Sequence, residues 1–252
     1  MRVLGDWDFK GRYVLVTGAG SGIGFHIAQE FLARGAFVGA HYSTSVDGAG
    51  ELLQPGVDGR CKLLQADFSD SSQVGRLWDQ FLAFSSGKID VLVNNAAAVG
   101  SGVPFSEVSE NEWDEIFHIN LRAPMILSRA AMAVMSAQKS GSIINLSSVG
   151  IKFGGSPTTK PYSVSKAALE ALTVSLAILA APHGVRINTV RVGPTDTAAY
   201  RKLGIKDLGS RVAKIPMQRT ANPVEIAAAV LFLASDASSF VTGSILPVTG
   251  GE

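Results

Sequence analysis

The sequence has one cysteine, Cys61, in 252 residues. An internal disulfide framework and a cysteine-cluster metal site are thereby excluded, and a reducing compartment fits. Charge is sparse too: 17% of residues are charged, and 22 basic against 21 acidic side chains leave a formal +1. That balance lacks the basic excess of a duplex-binding surface, so nucleic acid is not an expected partner. Four scattered histidines, His26, His41, His118 and His183, show no metal-ligand pairing at helical spacing, and no metal is expected. No apolar run approaches the roughly 18 residues of a membrane span, and residues 1–8 carry acidic side chains where a secretory signal needs an apolar stretch. The expectation is a cytoplasmic protein without a membrane partner. Repeats, low-complexity tracts and long linkers are also missing, so residues 1–252 are read as one domain.

What is present in excess is glycine, 27 residues where ordinary usage gives about 18. Short β-type runs occur at residues 13–16, 36–40, 61–64, 91–93, 142–146, 186–190 and 244–248. Several are apolar on successive residues, as strands covered on both faces are. Helical spacing separates them, as in Ile23, Ile27, Ala28, Phe31 and Leu32. Ser109 with Glu112, and Asn222-Pro223 with Glu225, read as capped helix starts. Alternating β and α elements define an α/β fold, a Rossmann-type doubly wound parallel sheet flanked by helices on both faces.

After the first strand stands Thr17-Gly18-Ala19-Gly20-Ser21-Gly22-Ile23-Gly24, leading straight into a helix. Glycines let the backbone turn tightly and approach a pyrophosphate, and the amides and dipole at the helix start favour the anion. The strict G-x-G-x-x-G spacing is absent; the pattern is T-G-x-x-x-G-x-G, which resembles the short-chain dehydrogenase/reductase family. The likeness continues in order through Asp67, Asn94-Asn95-Ala96-Ala97, Asn120, Ser148, Tyr162, Lys166, Val192-Gly193-Pro194, Thr197 and the closing segment from Phe240 to Gly251. Val192 replaces the usual proline, Ala97 a glycine and Thr249 a common aspartate.

The resemblance implies a nicotinamide cofactor held by Gly18, Gly20, Ser21, Gly22, Ile23, Gly24, Tyr42, Ser43, Thr44, Asp67, Phe68, Asn94, Ala96, Gly193, Thr195 and Thr197, together with Tyr162 and Lys166. It also implies a catalytic set of Asn120, Ser148, Tyr162 and Lys166, with Asn120 holding a water that links the lysine to solvent. A buried amide satisfying backbone groups is the alternative for Asn120.

An NAD site normally ends its second strand with a carboxylate for the ribose hydroxyls. Here the chain reads His41-Tyr42-Ser43-Thr44-Ser45, with no carboxylate before Asp47. A 2′-phosphate meets no repulsion and finds hydroxyls at Ser43, Thr44 and Ser45. Ser21, however, stands where NADP-preferring relatives often carry Arg or Lys. NADP(H) is favoured over NAD(H).

Tyr162 and Lys166 are four residues apart, on one face of a helix that can begin at Pro161. A phenol titrates near 10, and a neighbouring ammonium within about 4–6 Å favours its phenolate. Tyr162 is thus a general acid in reduction and a base in oxidation. Ser148, with Ser147 its adjacent competitor, is placed to hydrogen-bond a substrate oxygen whose charge changes. The expected substrate is a small carbonyl compound or secondary alcohol, a 3-oxoacyl thioester foremost, with a sugar or polyol as the runner-up. A scaffold or sensor that binds the cofactor without catalysis is the reading from another class.

Residues 194–216 are expected to form a substrate lid, and their Arg201, Lys202, Lys206, Arg211 and Lys214 suit an anionic substrate or else simply face water. Lys152 and Lys160 admit the same two readings. The helix after Tyr162 is apolar as far as Ile178 and Leu179. It is read as a subunit contact in a homo-oligomer, a tetramer or a dimer, with an enlarged monomer core as the alternative.

Overall fold

In the computed structural model, which describes residues 7–54, 57, 59–197 and 209–252, the strands bury alternate side chains in opposite layers. In β1 (Tyr13–Val16), Val14 and Val16 pack with α1 (Gly22–Ala33), whereas Leu15 faces the other side. Strands β2 (Phe37–Tyr42), β3 (Cys61–Gln65) and β4 (Val91–Asn94) continue the sheet, followed by β5 (Gly141–Ser148), β6 (Val185–Val192) and β7 (Ile245–Val248). All pairs are parallel, in the order β3-β2-β1-β4-β5-β6-β7. The expected doubly wound sheet is therefore what the chain forms. Pro247 lies in the edge strand β7, where a missing N–H costs no central ladder bond.

One layer holds α1 and α7 (Pro223–Ala234), with Ile27, Phe31, Ile226 and Val230 fully buried. The other holds α3 (Ser71–Phe84), α5 (Ala123–Gln138) and α6 (Lys160–Ala180), contributing Leu77, Phe81, Leu127, Met135 and Ala177. Helix α7 starts as expected: Asn222 accepts from the Val224 amide, Glu225 reaches back to the Asn222 amide, and Pro223 fills the first turn. Ser109 caps α4 (Glu110–Phe117) by accepting from the Glu112 amide. The Glu112 carboxylate does not reciprocate; it accepts from the amide and hydroxyl of Ser101 in the loop after β4.

Helices α4 and α5 are joined by a π-helical turn, His118–Arg122, that contains Asn120. Such wide turns are uncommon and concentrate at functional sites. Together with the following turn, α6 makes a 24-residue helical stretch, Lys160–His183, long and apolar enough by composition to cross a membrane. Lys160, Lys166 and Glu170 interrupt it, so the sequence shows no unbroken apolar run of that length. Its inner face buries Lys166, Glu170 and Thr173 against the sheet, as a core helix does. Ile178 is 70% and Leu179 61% exposed, so these residues do not enlarge the core of the chain.

Candidate active site

The chain runs outward from β1 through β2 to β3, then crosses back to β4 and proceeds the other way. At that switch point the loops beyond the strand ends diverge and leave a crevice. A cleft of about 610 Å³ opens there, lined by the glycine turn, residues 41–45, Asp67, Phe68, Asn95, Ala96, Tyr162, Lys166 and Thr197.

The glycine turn is shaped by close backbone approaches. Gly18 has φ +68°, and a Cβ there would lie 2.9 Å from Ala96 Cα. A Cβ at Gly24 would lie 2.2 Å from the Gly18 carbonyl oxygen, so α1 can sit against the turn only with glycine at that point. Helix α1 has Ser21 at its N-cap without a side-chain cap bond, which leaves its first amides to a ligand. Thr17 ties the turn to β4: its hydroxyl donates to the Val93 carbonyl and accepts from the amides of Asn95 and Ala96. Asn95 returns the tie by donating to the carbonyls of Thr17 and Gly18.

Gly18, Gly20, Ser21, Gly22, Ile23, Tyr42, Ser43, Thr44, Asp67, Phe68, Ala96, Tyr162, Lys166 and Thr197 all line this one cleft. Four expected cofactor contacts lie elsewhere. Asn94 points into the interior, where it donates to Asn145 Oδ1 at 2.8 Å and to Ser128; strand alternation gives the cleft position to Asn95. Gly24 is a packing glycine beneath the turn. A Cβ at Gly193 would lie 2.6 Å from Thr249 Cα, so this glycine admits the C-terminal segment. Thr195 is buried, with its hydroxyl donating to the Gly193 carbonyl. The expected lid lies partly outside the described residues, including Arg201, Lys202 and Lys206.

In the same cleft, Lys166 is buried and donates to the Leu146 carbonyl on β5 at 2.8 Å. Its Nζ lies 5.8 Å from the centre of the Tyr162 ring, one helical turn back. Burial lowers the lysine from its ordinary 10.5 to about 8. Asn120 is fully buried and acts as a clamp: Oδ1 accepts from the Ala98 amide, and Nδ2 donates to the Ala98 carbonyl and the Ser165 hydroxyl. Its side chain is thus engaged by backbone and α6, the alternative weighed for it above.

The two serines at the end of β5 differ in their partners. Ser147 lines the cleft, yet its hydroxyl donates to Glu170 on α6, and Glu170 is also gripped by Arg191 of β6. Ser148 accepts from the Gly150 amide, which starts the 3₁₀ turn Val149–Phe153 that takes up the long loop before α6. A Cβ at Gly150 would lie 3.3 Å from Ser148 Oγ and 3.5 Å from the hydroxyl of Ser163, the neighbour of Tyr162. Ser148 is therefore close to the start of α6, with its hydroxyl hydrogen uncommitted among the described residues.

Sequence reasoning passed over Glu170 and Arg191. Their signal was a buried-strand position filled by arginine, opposite a glutamate one turn after Lys166. Lys160 donates to the carbonyls of Gly154 and Gly155, and Arg211 pairs with Glu252. Two cations proposed for an anionic substrate are thus engaged within the chain. Burial pushes the Cys61 thiol up to about 11, out of the range of a reactive thiolate.

A Rossmann-type sheet, a glycine turn leading into an uncapped helix and a buried lysine beside a tyrosine define an NAD(P)-dependent oxidoreductase. The family profile described as enoyl-(acyl carrier protein) reductase matches residues 18–252. The cis-4-hydroxycyclohexanecarboxylate dehydrogenase of Sinomonas cyclohexanicum is 36% identical over 245 residues, covering 96% of this chain and 97% of its own. The 3-oxoacyl-[acyl-carrier-protein] reductase of Salmonella typhimurium is 35% identical, with 97% and 98% covered. A crystal structure described as a proposed NAD(P) dependent gluconate 5-dehydrogenase from Beutenbergia cavernae, with NADP at low occupancy, superposes with a TM-score of 0.88 at 36% identity, covering 98% of each chain. The chain belongs to the short-chain dehydrogenase/reductase family.

Proposed function

We propose that the protein reduces a 3-oxoacyl thioester to the corresponding 3-hydroxyacyl thioester with NADPH, as a homo-oligomer in the cytoplasm, using residues 194–216 as a lid. The observation that carries the chemistry is Lys166, desolvated against β5 and one turn from Tyr162, in the same cleft as the glycine turn.

The cleft suits a dinucleotide in its donor set: the first amides of α1 for the pyrophosphate, and the hydroxyl-bearing residues 43–45 for a phosphorylated ribose. A nicotinamide bound there supplies the hydride, or takes it up in the oxidative direction. Tyr162 gives its proton to the substrate oxygen in reduction. Lys166, with its ammonium near the tyrosine ring, stabilises the phenolate left behind. Ser148 donates a hydrogen bond to the same oxygen as charge develops on it. Asn120 is a positioning residue, fixing the loop after β4 to the start of α6 through Ala98 and Ser165.

Support for NADPH is the lack of a carboxylate among the cleft-lining residues 41–45, although Lys166 is the only lysine or arginine among the described lining residues. Support for the thioester is the similarity to 3-oxoacyl-[acyl-carrier-protein] reductases. A sugar or polyol dehydrogenase is the second reading, favoured by the internal engagement of Lys160 and Arg211.

The test is steady-state turnover with NADPH and NADH on a 3-oxoacyl thioester, a keto sugar acid and a simple ketone, beside Tyr162→Phe. The expected result is fastest turnover of the thioester with NADPH, and a loss of about 10²-fold or more in kcat for the phenylalanine variant. Keto sugar acids outpacing the thioester establish the second reading. Activity surviving in Tyr162→Phe removes the tyrosine from its role, and a preference for NADH overturns the cofactor assignment.

A further inference from the structure

His41 opens the ribose segment but has been given no role of its own, yet it is 2% exposed in the lining of the cofactor cleft and contacts several other cleft elements. Its Nδ1 accepts from the Gly18 amide at 3.1 Å. Nε2 lies 3.1 Å from the Ala66 carbonyl oxygen, just past β3. Its own backbone carbonyl accepts from the Ala19 amide at 2.7 Å. The ring stacks on Phe68, another cleft residue, with centroids 4.0 Å apart and planes 4° from parallel.

These partners fix the chemistry of the ring. An amide only donates and a carbonyl only accepts, so Nδ1 must present its lone pair and Nε2 its hydrogen. Neither the other tautomer nor the imidazolium satisfies both contacts. Burial acts in the same direction, lowering His41 from 6.5 to about 4, while its Ala66 bond and the nearby Asp67 act against that shift.

The consequence reaches the cofactor through Gly18. With its positive φ the residue presents this amide to His41, and a part-buried donor that loses its acceptor is left poorly satisfied. The Gly18 carbonyl, on the other side of the residue, accepts from Asn95 and abuts the position of Gly24 at the start of α1. A rotation that let Gly18 find another partner would shift the peptide against which α1 is seated. We infer that His41 is a positioning residue for the nicotinamide cofactor, a neutral imidazole that holds the glycine turn in its binding shape by accepting from Gly18. The inference rests on the cofactor site of the family and is independent of the substrate reading.

Two amides divide the two contacts. In His41→Asn, Oδ1 can stand for Nδ1 and accept from Gly18. In His41→Gln, the longer amide reaches toward Ala66 and leaves Gly18 unpaired, and His41→Leu loses both contacts. The measurements are the NADPH dissociation constant, from the fluorescence of the reduced nicotinamide, and Tm without cofactor. All three variants are expected to melt earlier. Asn should stay within about threefold of the wild-type affinity, while Gln and Leu weaken it about tenfold or more and raise KM for NADPH more than they lower kcat. Equal weakening by Asn and Gln, or wild-type affinity in Gln, overturns the inference and leaves His41 a core residue. Nitrogen NMR of the unmodified protein supplies a check independent of variant folding. It should show an unprotonated Nδ1 and a protonated Nε2 at pH 6, and the opposite tautomer or an imidazolium at that pH overturns the inference equally.

Discussion

Glu170 and Arg191 face each other across α6 and β6 in a two-point ion pair, with Arg191 Nε 2.9 Å from Oε1 and Nη2 2.6 Å from Oε2. The glutamate side chain is 9% and the arginine 21% exposed, and Arg191 sits in register with Ser147 on β5. Through Ser147, which lines the cleft, the pair joins α6, β6 and β5.

Removing one partner leaves the other charge poorly solvated. Arg191→Leu and Glu170→Leu should each cost about 3 kcal/mol in urea unfolding, whereas the double replacement should lie closer to wild type than the sum of the two. Additive losses would show that the two groups do not interact.

The serines at the end of β5 should separate into stability and rate. Ser148→Ala is expected to lower kcat by about 10²-fold with little change in Tm. Ser147→Ala, which removes the hydrogen bond to Glu170, should lower Tm and leave kcat within a few fold. Steady-state kinetics beside thermal melts decides, and the reverse pattern would transfer the catalytic assignment to Ser147.

Lys166 gives a pH dependence of definite sign. Its folded value, about 8, lies below its ordinary 10.5, so in that window the unfolded chain holds a proton that the folded chain has released. Stability must then rise with pH. Relative to Lys166→Met, the cofactor-free protein should gain about 3 kcal/mol between pH 8 and 10.5, measured by urea unfolding. A flat difference would mean that the ammonium remains solvated.

The outer face of α6 exposes Val174, Ile178 and Leu179. Light scattering should find the protein as a dimer or tetramer. Ile178→Glu with Leu179→Lys should reduce its mass while preserving its circular dichroism, and a monomeric wild type at micromolar concentration would refute the subunit contact.

Much of this arrangement could be read before any coordinates. The cores of β1 and β4 were legible because strands covered on both faces are apolar on consecutive residues. The ends of β5 and β6 were not, since Ser147, Ser148 and Arg191 continue the strands with polar side chains whose partners lie on α6 or in the following turn. The glycine turn and the Tyr162–Lys166 pair line one cleft, as the family resemblance implied; the spacing of tyrosine and lysine by itself fits any helix face. Asn94 was assigned to the cofactor and Asn95 was given no role; the side chain of Asn94 turns into the interior, and its neighbour just past β4 meets the cleft. His41 was noticed as one of four unpaired histidines and as the start of a segment without a carboxylate; its contacts come from Gly18 and Ala66, which lie on separate loops, and no local pattern announces them.

The wide turn at His118–Arg122 fixes the angular setting of everything on α5 relative to α4. Each residue of an ordinary α-helix advances the azimuth by about 100°. Deleting one residue there would restore uniform winding and strengthen the helix as a helix. It would also rotate Asn120 away from Ala98 and Ser165, or swing the whole of α5 off the sheet. The local irregularity is thus a phase correction, allowing one continuous rod to meet the sheet along α5 and the tyrosine-bearing helix at Asn120.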